Sequence, residues 1–282
     1  MTAALRSDVA GGWQARLELG FAPVAARTAL VHSAHRGPLR VQRPFHPEAD
    51  GSCHVYLLHP PGGVVGGDGL ALDVQLAPGA RALLTTPSAS RFYRSAGARA
   101  LQRQLLRVGA GARLDWLPQE TILFDRSRLR RSLVLDLAPG ARAMLGETLV
   151  LGRLASGERT ASGLLHDRIE IHADGRLLWR DVFRLAGDIT QAVEAPAGLA
   201  GARAVTTFAY AGPDASERLD LARELLPDDP VRAGATIVNG VLLARMLGED
   251  PLALRRALAL FWACFRAAVA GLPPLLPRLW HV

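Results

Sequence analysis

Apolar and polar residues alternate along much of the chain between residue 13 and about residue 210. Residues 13–19 and 168–172 are clear examples, because every second residue in them is apolar. Alternation with a period of two is typical of a strand with one buried face. The pair Asp174-Gly175 then predicts a hairpin turn. The pattern predicts a mainly β protein with a β body at residues 13–212 and a flexible N-terminus at residues 1–12.

An internal repeat lies within this β region. The segments 76–82, 108–114 and 137–143 resemble one another, and their turn glycines are 32 and 29 residues apart. A Pro-Gly pair suits the central positions of a type II turn, where glycine supplies a positive φ. Each copy is therefore predicted to be strand, tight turn, strand. Stacked copies that share one core predict a wound, layered, β-helix-like body, with a plain meander as the alternative.

The pattern changes from strands to helices after residue 213. Asp229-Pro230 and Asp250-Pro251 each place an N-cap carboxylate before a proline at the first helical position. Glycines that suit helix ends follow at Gly248 and Gly271. The sequence predicts a helical segment at residues 213–272, packed on the β body, and a C-terminal tail at residues 273–282. We expect one integrated domain.

The last predicted helix carries a broad apolar face. Most of this face is expected to pack on the β body, and the excess is available to a partner protein. The candidate partner-binding residues are Leu258, Phe261, Trp262 and Phe265.

Charge and cysteine content narrow the functional classes. The chain has 282 residues and a formal net charge of +7, and its 33 basic residues are all arginine. The arginines are spread along the chain with few aromatic residues between them, which disfavours a nucleic-acid-binding protein but leaves it as an alternative. An acidic protein partner fits the same charge. Two lone cysteines and the lack of a long apolar segment predict a cytoplasmic protein without a membrane partner.

The glycine-rich segment at residues 59–68 does not have the chemistry of a nucleotide site. Its paired glycines indicate a sharp turn, a positive φ or a close approach of other atoms. No lysine follows them, and the carboxylate of Asp68 would repel a phosphate. The structural glycines are Gly62, Gly63, Gly66 and Gly67.

Catalytic motifs are scarce in this sequence. The chain has no Gly-x-Ser-x-Gly nucleophile elbow, and the spacing of its histidines does not favour a stable metal site. One enzymatic alternative remains, a β-solenoid hydrolase in which the carboxylates of Asp68 and Glu120 approach each other.

Polar residues follow the turn glycine in each repeat. If the repeats stack, these residues are expected to line up on one internal face, where they would pass a hydrated divalent cation through weak, multiple sites. The alternative is that they bond to backbone groups at strand ends. The set consists of Thr85, Thr86, Gln119, Glu120, Glu147 and Thr148, and Glu158 extends its acidic members.

Several motifs together carry a resemblance to a known family. The segments 59–68, 83–87, 91–95 and 116–121 occur in order, and the match extends from residues 37–44 to residues 277–280. In these motifs the chain resembles the urease accessory protein UreD family, which is also called UreH.

The resemblance implies a non-enzymatic chaperone with a wound β fold and a short helical portion. Such a protein acts with UreF and the GTPase UreG on apo-urease, and nickel passes through it without a tightly bound cofactor. The matching motif acids, and so the candidates for a transient nickel path, are Asp68, Glu120, Glu147 and Glu158.

Overall fold

The computed structural model describes residues 11–280 and is built mainly from strands. The first ten strands are β1 (Gln14–Val24), β2 (Arg27–Arg36), β3 (Arg40–Val41), β4 (Cys53–Leu58), β5 (Gly69–Leu76), β6 (Arg81–Thr85), β7 (Ser90–Phe92), β8 (Ala100–Val108), β9 (Arg113–Leu117) and β10 (Thr121–Leu123). The remaining strands are β11 (Arg128–Leu137), β12 (Arg142–Leu151), β13 (Ser162–Ala173), β14 (Arg176–Asp188), β15 (Ala204–Ala211), β16 (Arg232–Val238) and β17 (Val241–Gly248). The α-helices are α1 (Ile189–Glu194), α2 (Leu219–Glu224) and α3 (Pro251–Ala270).

Two large sheets pack face to face. In the seven-stranded sheet the order is β14-β13-β11-β8-β5-β1-β2, and the five strands from β13 to β1 run parallel. The ten-stranded sheet has a main path of eight strands in the order β16-β17-β15-β12-β9-β6-β4-β3, with β12, β9, β6 and β4 parallel, and β7 and β10 branch from it. The short strands β7 and β10 and the end of β12 make a third parallel row. Antiparallel hairpins cover both edges of the seven-stranded sheet.

The repeat turns connect the two large sheets in each coil. The turn glycines have φ values of 72°, 63° and 73°, and each turn closes with a backbone hydrogen bond between residues three apart. The bonds run from Ala80 N to Ala77 O, from Ala112 N to Gly109 O and from Ala141 N to Ala138 O. Because successive coils stack with their strands parallel, the predicted wound, β-helix-like body is confirmed.

The core lies between the two sheets and follows the period-two pattern. One row of the seven-stranded sheet shows this, because its five register neighbours are all at most 2% exposed. They are Leu19, Val74, Leu106, Leu135 and Ile171. Ala82, Leu114 and Ala143 form a matching buried row on the other sheet. Burial of these apolar side chains is the main favourable term in the stability of the body.

Helix α3 begins and ends where the sequence predicts. The carboxylate of Asp250 accepts hydrogen bonds from Leu252 N and Ala253 N, and Gly271, with φ of 65°, ends the helix. The four predicted partner-binding residues, Leu258, Phe261, Trp262 and Phe265, are each at most 1% exposed and belong to the core under α3. They therefore pack within the chain and are not presented to a partner protein.

The helix predicted after Asp229-Pro230 is wrong, because residues 232–248 form the hairpin of β16 and β17. Asn239-Gly240 joins the two strands with positive φ at both residues, and half of the β16 side chains face solvent. Alternating exposure and a two-residue Asn-Gly turn are hairpin signals, and they outweigh a single aspartate-proline pair. Gly248 accordingly ends a strand.

The chain ends are only partly described. The predicted flexible N-terminus lies almost wholly outside the described residues. In the predicted tail, Trp280 is 6% exposed and its indole N–H donates to Thr85 Oγ1 at 3.0 Å. None of the helices between residues 11 and 280 is long and apolar enough to cross a bilayer.

A buried arginine fastens α3 to the β body. Arg266, 1% exposed, donates from Nη1 and Nη2 to the Glu48 carboxylate at 2.6 and 2.7 Å and from Nε to Asp115 Oδ2 at 2.7 Å. Burial alone would raise the pKa of Glu48, but hydrogen bonds from His54 and Arg266 outweigh burial and lower that pKa to about 2. Removing one partner of such a network leaves a buried charge without compensation.

The helix cap gives a first test of this fold. Asp250→Ala removes both capping bonds and should lower the free energy of unfolding by about 1 kcal/mol. Asp229→Ala is the matched control, because Asp229 is exposed and caps no helix. Urea denaturation measures both variants, and an equal loss in the control would contradict the assignment.

The Glu48 network predicts a pH dependence. Because the pKa of Glu48 is about 2 in the folded protein and 4.5 ordinarily, its ionised form stabilises the fold above pH 4.5. This contribution is lost as the pH falls from 4.5 towards 2. Urea titrations across that range should show a steeper loss for the unaltered chain than for Glu48→Gln. Parallel curves would contradict the network.

Candidate functional site

A cavity with several polar side chains in its wall extends into the β body. Its volume is about 90 Å³, and apolar core residues form much of its wall. Part of the wall comes from one register row of the seven-stranded sheet, in which Gln102 lies beside Arg131. On its other side Arg131 has Asp167 as its register neighbour. From the opposite side of the body, the cavity is lined by Trp116, Thr121 and Glu147.

Arg131 is the centre of the polar groups at this cavity. Its Nε donates to Asp167 Oδ1 at 2.8 Å, and its Nη1 donates to Glu147 Oε2 at 2.7 Å and to Thr121 Oγ1 at 3.2 Å. The indole N–H of Trp116 donates to the other Glu147 oxygen at 2.6 Å. All five side chains belong to residues that are at most 5% exposed. The network therefore joins the two sheets across the interior.

The electrostatics of this network follow from burial. Burial raises the pKa of Glu147, and the ion pair with Arg131 opposes that rise. Burial alone would lower the pKa of Arg131, but the charges of Asp167 and Glu147 outweigh burial and raise it. With all three groups ionised, two carboxylates face one guanidinium. The cavity wall also carries Arg91 and Arg103, so the lining as a whole is not negatively charged.

Two further polar atoms point to the same region. The side-chain oxygens of Gln102 and Gln104, both of which line the cavity, have no hydrogen-bond partner within residues 11–280. Buried amide oxygens of this kind bind ordered water or another donor. A cavity of about 90 Å³ has room for a few waters beside these polar groups. The cavity can therefore hold a small hydrated species.

The comparisons with known proteins agree with the resemblance in the motifs. Residues 14–281 match the family described as UreD urease accessory protein. A urease accessory protein UreD from Alkalilimnicola ehrlichii is 45% identical over 97% of this chain and 93% of its own length. The relative named urease accessory protein UreD in Klebsiella aerogenes is 40% identical over 95% of this chain and 97% of its own length.

This chain belongs to the UreD urease accessory protein family. The match covers nearly all of the described residues, so both sheets, the interior cavity and α3 lie within the family region. A role in urease maturation follows from membership.

The structure separates the polar residues that the repeats suggested. Thr86, Gln119 and Glu147 line the cavity. Glu120 does not, because its carboxylate pairs with Arg255 of α3 at 3.2 Å, outside the body. The remaining two residues bond elsewhere, Thr85 to Leu117 O and Thr148 to Thr206 Oγ1.

The expected alignment on one face is therefore wrong for this UreD chain. In the parallel register Thr85 lies opposite Leu117, and the Gln119-Glu120 pair comes after β9 has ended. Successive strand residues also point to opposite faces, so a polar pair cannot place both members inside. The strands stay in register from the turn, because Arg81, Arg113 and Arg142 each follow a turn glycine by two residues and are register neighbours. The expectation failed because the polar residues lie at different distances from the glycine, from six residues for Thr85 to nine for Glu120.

The other two motif acids hold loops in place. The Asp68 carboxylate, 3% exposed, accepts hydrogen bonds from Trp13 N at 2.8 Å and Val65 N at 2.9 Å. Glu158 accepts from Asp125 N at 3.0 Å and pairs with Arg153. Within residues 11–280, no group of three or more His, Cys, Asp or Glu side chains could hold a metal ion.

The glycine-rich segment packs against the loop that follows β7. Gly62 and Gly67 have φ values of 75° and 97°, which side chains disfavour. A Cβ atom at Gly63 would collide with the Tyr93 ring, and one at Gly66 would collide with Ser95. These glycines are therefore required by backbone conformation and by close approach, as their pattern indicated.

The central residue of the cavity was missed in the sequence. Arg131 occupies an inward position of β11, between the buried residues Leu129 and Leu133. An arginine in phase with an apolar row is a signal that could have found it. Its partner Asp167 lies on a different coil, so their contact depends on the strand register.

Close approach at Gly66 gives a test. Gly66→Ala places a methyl group against Ser95 and the Ala98 carbonyl, and should lower the free energy of unfolding by about 2 kcal/mol. Gly234→Ala is the control, because a Cβ there meets open space. Thermal unfolding of both variants measures the difference, and similar melting temperatures would contradict the close contact.

Proposed function

We propose that this UreD-family chain is a non-enzymatic chaperone that helps deliver nickel to apo-urease through its interior cavity. The observation that supports this most directly is Glu147, a buried carboxylate in the wall of the cavity that extends into the β body. In this proposal the chain acts in the cytoplasm with UreF and the GTPase UreG. Nickel is cargo in transit, and the chain holds no tightly bound cofactor.

The ligand chemistry of the cavity suits passage of a hydrated cation. Carboxylate, amide and hydroxyl oxygens are offered by Glu147, Gln104 and Thr121. Such oxygens hold borderline divalent ions more loosely than imidazole or thiolate groups do. An ion that must leave as readily as it enters is served by weak binding at several groups.

Arg131 shapes how Glu147 would meet a cation. The guanidinium engages one oxygen of Glu147, and Trp116 donates to the other. A cation that approaches this carboxylate competes with both donors, which weakens its binding. Glu147 is the anionic group in the cavity lining that a cation would meet.

Surface charge supports a protein partner. The net charge of +7 favours association with an acidic protein surface. The apolar face of α3 is already used within the chain, so the partner surface in this proposal lies elsewhere on the body.

The proposed function predicts that substitutions of Glu147 and Glu120 have different effects on nickel delivery. Glu147→Gln should slow the incorporation of nickel into co-expressed apo-urease by about tenfold, the effect typical of losing one group around a metal. Glu120→Gln should have little effect, since Glu120 faces α3 outside the cavity. Urease nickel content and activity are the measurements, with the exposed Glu224→Gln as control.

Assembly must be checked for each variant. Pull-down of the chain with co-expressed UreF, UreG and urease subunits shows whether the complex forms. If the complex forms with Glu147→Leu and nickel incorporation is unchanged, the cavity has no role in delivery. A chain that binds none of these proteins would contradict the proposed function as a whole.

A further inference from the structure

The third row of parallel strands brings three loops to one edge of the body. Val64 pairs with Phe92, Phe92 with Leu123, and Leu123 with Leu151. Phe92, Leu123 and Leu151 are the last residues of β7, β10 and β12. The chain therefore leaves the third row at the same end after each strand. The segments that follow are 93–99, 124–127 and 152–161.

A surface pocket of about 820 Å³ lies between these loops. Its rim carries four guanidinium groups, from Arg94, Arg126, Arg153 and Arg159, and we call it the arginine pocket. All four arginines are exposed, and the side chain of Arg126 is 72% exposed. Within residues 11–280, Arg94 and Arg159 make no ion pair.

An aromatic pair forms the apolar part of the pocket. The rings of Tyr93 and Phe124 meet edge to face with centroids 4.8 Å apart. The guanidinium of Arg153 lies over Phe124, 4.6 Å from the ring centroid. The pocket therefore offers a small apolar surface beside a concentration of positive charge.

The two carboxylates in the pocket, Asp125 and Glu158, form hydrogen bonds within the loops. Asp125 Oδ1 accepts hydrogen bonds from Ala161 N and Ser162 N at 3.0 and 2.9 Å. Burial alone would raise the pKa of Glu158, but hydrogen bonds from Arg153 and Asp125 N outweigh burial and lower that pKa. Both carboxylates thus hold the loops in shape, and the four arginines leave a net positive charge.

We propose that the arginine pocket binds an acidic segment of a protein partner. The carboxylates of that segment pair with Arg94, Arg126 and Arg159, and one apolar side chain packs on the Tyr93–Phe124 pair. Charge complementarity supports this choice of partner, because exposed guanidiniums bind carboxylates in a bidentate manner.

A nucleic acid fits this surface less well. The fixed carboxylates of Asp125 and Glu158 lie among the arginines and repel a run of phosphates. Arg153 covers the face of Phe124, so that face is not open to a base. Single-stranded nucleic acids need open aromatic faces along a continuous basic groove.

The test uses the full chain and defined probes. The first probe is a fluorescent peptide that alternates glutamate and aspartate around one central leucine, and its control has glutamine and asparagine in their place. The variant Arg94→Gln/Arg126→Gln/Arg159→Gln removes three exposed charges at the pocket. The control variant Arg36→Gln/Arg176→Gln/Arg184→Gln removes three exposed charges elsewhere.

Fluorescence anisotropy should show that the acidic peptide binds and that the neutral peptide does not. The pocket variant should weaken binding by about tenfold and the control variant by less than about twofold. Raising the ionic strength from about 0.05 M to about 0.5 M should weaken binding, because exposed charges are screened. Tyr93→Ser should weaken binding of the peptide with a central leucine more than it weakens binding of a peptide with a central serine.

Three results would overturn the proposal. They are the absence of binding by the acidic peptide, equal losses in the pocket and control variants, and tighter binding of a single-stranded DNA of matched charge. Far-ultraviolet circular dichroism shows whether each variant retains its fold. Because this assay contains no urease, UreF or nickel, its failure is distinguishable from failure of the proposed delivery role.

Discussion

The register of the parallel coils governs every other feature of this molecule. Tight turns with positive φ at Gly79, Gly111 and Gly140 connect the two sheets, so equivalent residues of successive coils stack in rows. A one-residue slip in any strand would move its inward side chains to the outer face. The buried row through Val74 and Leu106, the polar row through Arg131 and the edge that carries the arginine pocket all depend on this constraint.

The polar row comes with an energetic cost. Taking Arg131, Glu147 and Asp167 out of water is unfavourable, and such groups are often replaced by apolar residues without loss of stability. Their hydrogen bonds and opposite charges offset much of that cost here. An apolar network would fill the same space and still hold the two sheets together. The charged network therefore adds little net stability over an apolar core of the same volume.

Much of the fold could be predicted from the sequence because its signals are local. The strand alternation, the turn glycines and the Asp250 cap each depend on a few neighbouring residues. The interior site could not be predicted in the same way. Glu120 and Glu147 are motif acids at similar distances from a turn, yet only Glu147 faces the cavity. The difference comes from their positions along the coil, because Glu147 lies within β12, seven residues after its turn glycine, whereas Glu120 lies nine residues after its glycine, beyond the end of β9. The helix predicted after Asp229-Pro230 was wrong for a related reason. A helix-cap signal depends on neighbouring residues and does not show which strand the next segment pairs with.

The interior cavity and the arginine pocket share one short strand. Thr121 begins β10 and accepts a hydrogen bond from Arg131 at the cavity, while Phe124 follows the end of β10 and lines the pocket. Only two residues separate them, and the strand is held by parallel neighbours on both sides. A partner bound at the pocket would therefore contact a loop that is continuous with the cavity wall. The third row of strands, although the shortest part of the body, places the arginine pocket next to the interior cavity.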